Sequence, residues 1–449
     1  MTVWPRPTMR IRTGLCGGKS LSSIQPGHLA RSLPRYLLLF YFAALTSLAI
    51  APAKTNGQTR SINRHWVATW AASPAPAGNG APNLNRQTLR LIVHTTIGGD
   101  RLRIHLSNTF GAEPVMIGAA HVGLRKNGSE VIPGSDRTVS FSGRPSVLIP
   151  PGALVVSDPV SLRFPSFADL AVSIYLPAAV TVVTEHPMAL QTSYVSPAGD
   201  FCGAASFPAD STTISSWPLL TGVSVLAPAR ASAVIALGDS ITDGAASKSD
   251  ENGRWPDVLA RRLASRPSGG PVAVLNEGIS GNRLLHDGAS PQWPIFGKSV
   301  LARFDRDVAA QPGAAEVFVL IGINDIGHPG SGAPASDEVT AEDIIAGLKQ
   351  VIARAHERGL KVFGCTLTPF EGTTFKGYYT PEKEVKRSAV NEWIRSGHEF
   401  DGVVDFDKVT RDPQHPARML ARFDSGDHLH PNSAGLKAMG EAINLSLVK

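Results

Sequence analysis

The stretch "SAVIALGDSITDG", residues 232–244, joins an apolar run to an abrupt polar turn. The seven residues Ser232–Gly238 read as a strand covered on both faces, because such strands carry apolar side chains in succession rather than in alternation. Asp239 and Ser240 follow at once and a helix is expected soon after, which puts the Ser240 side chain at the carboxyl end of the strand. In an open parallel sheet that edge is where ligands bind. A helix N-terminus beside it offers free N–H groups and a partial positive charge, both useful to a developing oxyanion. Ser240 is therefore a candidate nucleophile, although a helix-capping serine fits the same residues. It does not lie in a G-x-S-x-G elbow, since Thr242 occupies the second glycine position.

The same rhythm recurs downstream. Apolar runs at "VAVLNEG" (272–278), "EVFVLIG" (316–322), "LKVFGCTLT" (360–368) and "GVVDF" (402–406) alternate with helical segments. The clearest helix follows Thr340: Asp343 stands three residues on, Ile344, Ile345, Leu348, Val351, Ile352 and Ala355 keep one face apolar, and Gly359 ends it. Five strands alternating with helices make a parallel α/β sheet over residues 231–449. Residues 54–230 read differently. Short alternating runs such as "TLRLIVHTTI", "DRLRIHLSN" and "DLAVSIYLP" are separated by Gly, Pro, Asn and Asp, and "IGGD" at 97–100 signals a hairpin. This part is expected to be a β-rich accessory domain, a β-sandwich or jelly roll.

Charge bounds the partners. Six of the 43 Lys and Arg fall in residues 1–53 with no acid among them, so residues 54–449 carry 37 bases against 37 acids. A neutral body gives no electrostatic support to nucleic-acid binding. The basic start precedes "YLLLFYFAALTSLAI" (36–50) and "APA" (51–53), the pattern of a secretory signal peptide cleaved after Ala53. The run falls short of the ~20 residues that span a bilayer, so no stable membrane anchor is expected after cleavage. The protein is thus expected to be secreted or periplasmic. Cys202 and Cys365 can pair in such a compartment, while a buried free thiol suits the apolar strand around Cys365 equally well.

Three further stretches carry chemistry. In "DSGDHLHPNSAG" (424–435), Asp427 and His430 are three apart, so one turn brings the carboxylate to Nδ1 of the imidazole and leaves Nε2 free as a general base. Asn432 or Ser433 can cap the last helix. Asp424, Asp427, His428 and His430 also suit a metal, but the serine accounts for the pair more economically, and neither metal nor cofactor is expected. "GISGNR" (278–283) and "IGINDIG" (321–327) each follow a strand. Gly281 can present a bare backbone N–H and Asn324 its amide, which with the N–H of Ser240 makes three oxyanion donors.

"GDSIT", "GISGN", "GIND" and "DHLHPN", in that order, resemble the four blocks of the SGNH (GDSL-type) hydrolases. The resemblance covers residues 231–449 and implies a flavodoxin-like three-layer α/β/α fold and metal-free ester hydrolysis. It makes Ser240 the nucleophile and first oxyanion donor, Gly281 and Asn324 the other donors, and Asp427 and His430 the remaining triad members. His428 is not required by it. Secreted members with such an accessory domain often resemble carbohydrate O-acetylesterases, which implies a small-molecule or polysaccharide ester as substrate. A lipase or general carboxylesterase is the alternative, and a glycan-binding protein with an inert hydrolase half the reading from another class. Trp293, Phe370, Tyr378 and Tyr379, with Phe296 and Phe375, are expected near the active edge, where they stack on sugars, line an acyl pocket or pack the loops.

Overall fold

A computed structural model describes residues 63–449, apart from residue 79 and residues 289–292. The expected signal peptide lies outside the described residues. Residues 60–449 form one compact unit.

Five parallel strands make the sheet of the second half: β1 (Ser232–Gly238), β2 (Val272–Gly278), β3 (Ala314–Leu320), β4 (Lys361–Cys365) and β5 (Gly402–Val404). Their order is β2-β1-β3-β4-β5, the flavodoxin-like order, whose direction reverses at β1. Gly238 pairs with both Gly278 and Leu320, so β1, β2 and β3 end at one level and their following loops share an edge. Gly238 has no room for a side chain: a Cβ would lie 2.6 Å from the Leu320 carbonyl oxygen. The later strands stop earlier than their apolar runs suggest. Gly322, at φ 126°, turns the chain away after β3, and Asp405 leaves β5 to N-cap the helix Phe406–Thr410.

The helix Ala341–Glu357 forms as its sequence dictates. Thr340 Oγ1 accepts from the Asp343 N–H at 3.1 Å and Asp343 accepts from the Thr340 N–H at 2.9 Å, a reciprocal capping box. Ile344, Leu348, Val351 and Ala355 are buried against the sheet, and Gly359 closes the helix at φ 72°. Asn432 caps the last helix, Ser433–Ala442.

The first half is strand-rich and antiparallel. One sheet holds Arg64–Ala71, Leu220–Pro228, Gly99–Ser107 and Val160–Phe164, with Leu154–Val156 at its side; a second is built around Asn83–His94 and Asp169–Thr181. The hairpin expected at "IGGD" does not form, because the strands on either side of it belong to different sheets. Asn83–His94 pairs instead with Asp169–Thr181, and Gly98 passes so close to the Phe164 carbonyl that a Cβ would sit 2.4 Å from it. Cys202 and Cys365 are both buried and free.

The two halves share one hydrophobic cluster, in which Val67, Leu91 and Leu102 of the first half are continuous with Ile235, Val317 and Leu348 of the second. Polar links cross as well: the Val274 N–H on the outer edge of β2 donates to Thr96 Oγ1 at 3.2 Å. Edge N–H groups left open invite pairing with other chains, and this contact covers one.

Arg303, in the helix Val300–Phe304, lies wholly inside this junction. Its guanidinium donates to Asn282 Oδ1 (3.0 Å), Ser73 Oγ (2.8 Å), the Glu277 carbonyl (2.8 Å), Asp307 (3.1 Å) and the Gly238 carbonyl (2.9 Å). Removing one member of a buried charged set leaves its partners unpaired, which typically costs ~3–5 kcal/mol. The Arg303→Leu chain is accordingly expected to unfold at a clearly lower urea midpoint than the parent. An unchanged midpoint would show that Glu277 and Asp307 find other partners.

Candidate active site

The single-turn helix Ser240–Asp243 starts directly after β1, with Asp239 as its N-cap and Gly244 closing it at φ 106°. One turn carries little macrodipole; what it supplies is the N–H of Ser240, which has no hydrogen-bond partner among the described residues. Ser240 Oγ lies 2.8 Å from His430 Nε2, and His430 Nδ1 lies 2.6 Å from Asp427 Oδ2. Because the carboxylate can only accept, Nδ1 carries the proton and Nε2 accepts from the serine hydroxyl. The turn itself sets this geometry: Asp427 Oδ1 also accepts the backbone N–H groups of Leu429 (2.9 Å) and His430 (2.8 Å). Burial works to raise the Asp427 pKa, but these bonds and the imidazole hold it well below the usual carboxylate range. His428 turns aside at φ 57° and closes the loop by bonding Asp424.

The donors expected opposite the serine come to the same place. Gly281 sits at φ 76°, and a Cβ on it would lie 2.1 Å from the Phe296 ring, so only glycine fits. Asn324 lies in the first turn of the helix Ile323–Gly327; its Nδ2 donates to the Asn282 carbonyl at 2.9 Å, which leaves its second N–H free. Tyr378 fixes which way that amide faces, because its hydroxyl donates to Asn324 Oδ1 at 2.7 Å. Asp325 accepts from the backbone N–H groups of Leu284 (2.7 Å) and Leu285 (2.9 Å), tying the β3 loop to the β2 loop.

A cleft of about 360 Å³ opens over Ser240 and His430, with Met188, Trp293, Phe296, His328, Phe375 and Leu429 among its walls. Trp293 and Phe296 stack at 5.4 Å and 3°, and His328 stacks on Phe296 at 5.1 Å. Of the aromatics expected here, Trp293 lines the cleft and is 45% exposed, while Tyr378 lines it from a buried position. Phe370 is fully buried and Tyr379 packs edge-on against it at 5.0 Å; neither is among the walls of the cleft, because their rings pack into the loop instead. Met188 and His328 carried no signal in the sequence, since nothing local ties them to Ser240. Among the described residues no group of three or more His, Cys, Asp or Glu is arranged to hold a metal ion.

Asp239 lies fully buried beneath this site, where burial, reinforced by the Asp325 charge, pushes its carboxyl up to about 7. The folded chain therefore holds a proton there that the unfolded chain releases near pH 4, and the Asp239 contribution to stability falls as pH rises from about 4 through 7. Asparagine can still accept the cap bond from Ile241 without ionising. The unfolding temperature of the Asp239→Asn chain should thus gain on the parent between pH 4 and 8. A constant difference would place the ionisation at its ordinary value.

Residues 236–438 match the model of the GDSL-like Lipase/Acylhydrolase family. No curated protein matches the chain. Solved structures similar to it include a GDSL-like lipase from Bacteroides thetaiotaomicron (17% identity, 48% of this chain and 87% of that one, TM-score 0.35). Others are the aryl esterase of M. smegmatis (19%, 47% and 95%, TM-score 0.35) and an acetyl xylan esterase, AlAXEase (18%, 48% and 100%, TM-score 0.34). Residues 236–438 thus carry a GDSL-like lipase/acylhydrolase domain, and the chain is a hydrolase acting on ester bonds.

Proposed function

We propose that the chain is an exported serine esterase that works through an acyl-enzyme on short acyl esters, O-acetylated carbohydrate foremost. The observation that carries the mechanism is the unbroken relay from Ser240 Oγ through His430 to Asp427, at 2.8 and 2.6 Å. In the first step Ser240 Oγ attacks the ester carbonyl while His430 Nε2 takes its proton. Asp427 holds the imidazole and stabilises its charge. The oxyanion receives the N–H groups of Ser240 and Gly281 and the free amide N–H of Asn324. As the tetrahedral species collapses, His430 returns the proton to the departing alcohol; water then attacks the acyl-serine by the same path reversed, releasing the acid and free enzyme.

The carbohydrate assignment rests on the resemblance of the sequence to exported members with an accessory region, on the leader at residues 36–53, and on the flat Trp293–Phe296 surface, which suits a sugar face. The same reading takes the strand-rich half as a β-sandwich accessory region. A second reading, an esterase for longer acyl chains, is favoured by the apolar walls Met188, Phe296, Phe375 and Leu429.

Hydrolysis of p-nitrophenyl acetate in the presence of a chelator should proceed with the parent chain and vanish with Ser240→Ala. Activity surviving without Ser240, or lost to the chelator, would overturn the serine mechanism. Comparing acetyl with octanoyl esters separates the two substrate readings: a strong acetyl preference supports the first, and faster octanoyl turnover the second. Tyr378→Phe should lower kcat with little change in KM, by less than the ~10²–10³ typical of losing an oxyanion donor outright, for which Asn324→Ala is the reference.

A further inference from the structure

Part of the oxyanion apparatus is supported from outside the hydrolase half. His186 ends the short strand Thr184–His186 of the strand-rich half and is almost fully buried beside the Trp217 ring, at 5.5 Å. Its Nδ1 lies 3.0 Å from the Ser73 carbonyl and its Nε2 lies 3.0 Å from Asp243 Oδ1. The other oxygen of Asp243 accepts from the Ser280 N–H at 2.9 Å and from Ser280 Oγ at 2.7 Å. Ser280 immediately precedes Gly281, whose N–H is one of the three donors assigned above.

Both partners of the His186 ring are acceptors: a carbonyl on one side, a carboxylate oxygen on the other. A neutral imidazole has one N–H and leaves one contact acceptor to acceptor, whereas an imidazolium satisfies both. The groups facing the ring agree with that. Burial alone lowers the pKa of His186, and Arg254 opposes its charge; the Asp243 carboxylate outweighs them and the net direction is upward. Glu185, its neighbour in the strand, adds attraction.

We propose that His186, as an imidazolium, is a positioning residue for ester hydrolysis: it holds Asp243, which clamps Ser280 and thereby sets the Gly281 N–H toward the oxyanion. The proposal rests on the serine-esterase reading of the preceding section. The strand-rich half on this view takes part in transition-state binding. Because the His186 pKa is raised in the folded chain, the link is complete at and below the ordinary histidine value and is lost as pH rises through the raised value. It should therefore appear as an alkaline fall in kcat.

The test uses the full chain, p-nitrophenyl acetate and five proteins: parent, Ser240→Ala, His186→Gln, Ser280→Ala and the His186→Gln/Ser280→Ala double variant. Glutamine spans the same gap without titrating. His186→Gln is expected to lower kcat about tenfold or more with KM within twofold, since a donor misplaced costs less than the ~10²–10³ of a donor lost. Its alkaline fall in kcat should disappear, a change that a purely structural role would not produce. Ser280→Ala should lower kcat several-fold in the parent and add little in the His186→Gln background, because both act through Asp243. If Ser240→Ala is inactive while His186→Gln and Ser280→Ala keep kcat within twofold of the parent, or His186→Gln keeps the parent's alkaline fall, the proposal is overturned. Should His186→Gln not fold, Ser280→Ala alone decides: parental kcat overturns the proposal and a several-fold fall sustains it. An active Ser240→Ala chain would instead remove the esterase mechanism on which the proposal stands.

Discussion

A single buried guanidinium organises the edge of the sheet on which everything else is mounted. Arg303 gathers the Gly238 carbonyl at the end of β1, the Glu277 carbonyl at the end of β2, the Asn282 side chain and Ser73 of the strand-rich half. Carbonyls at strand ends lose their ladder partners where the chain leaves the sheet, and burying them unpaired is costly. Arginine suits the task because its planar fork offers five donors in fixed directions and stays charged when buried among carboxylates. Asp307 supplies the compensating charge, with Arg306 on it as a second cation, while burial and the Asp307 charge push the Glu277 carboxyl well up. The loops that start at Gly238 and Gly278 are therefore held at their roots.

From those roots the site is assembled by short polar ties, each joining one loop to the next. Asn282 accepts at its carbonyl from Asn324, Asp325 accepts from the β2 loop, and Tyr378 sets the Asn324 amide from a third direction. Asp427 and His430 approach from the far end of the sequence on a turn that their own backbone contacts fix. Catalysis by fixed dipoles needs such rigidity, because donors that must reorient during the reaction lose much of their advantage.

Much of this was legible in the sequence because it was local. The five strands, the Thr340–Asp343 capping box and the i, i+3 relation of Asp427 to His430 each follow from residues within a few positions of one another. Ser240, Gly281 and Asn324 could be listed together because each follows an apolar run whose end a parallel sheet must bring to one edge. What was not legible depends on pairing at a distance. Arg303 reaches Ser73 across 230 positions and His186 meets Asp243 across 57, and neither pattern leaves a periodicity. The "IGGD" turn misleads for the same reason: its residues suit a hairpin, but longer-range pairing takes the two strands into separate sheets. Aromatic loops likewise show their composition and not their burial, so Phe370 and Trp293 read alike while one is sealed and the other stands open.

The change of pattern near residue 230 looks like a natural cutting point, yet the molecule is not a cassette that can be lifted out there. A fragment beginning at residue 231 would lose Ser73 from the Arg303 cluster, His186 from Asp243 and Met188 from the wall of the cleft. It would also uncover the outer edge of β2, where Thr96 now takes the Val274 N–H, along with the apolar surface that the two halves share. Transplanting the hydrolase motifs onto another carrier would thus mean rebuilding a second surface beneath them, and shuffling of the two regions by recombination would be tolerated only where that surface travels too.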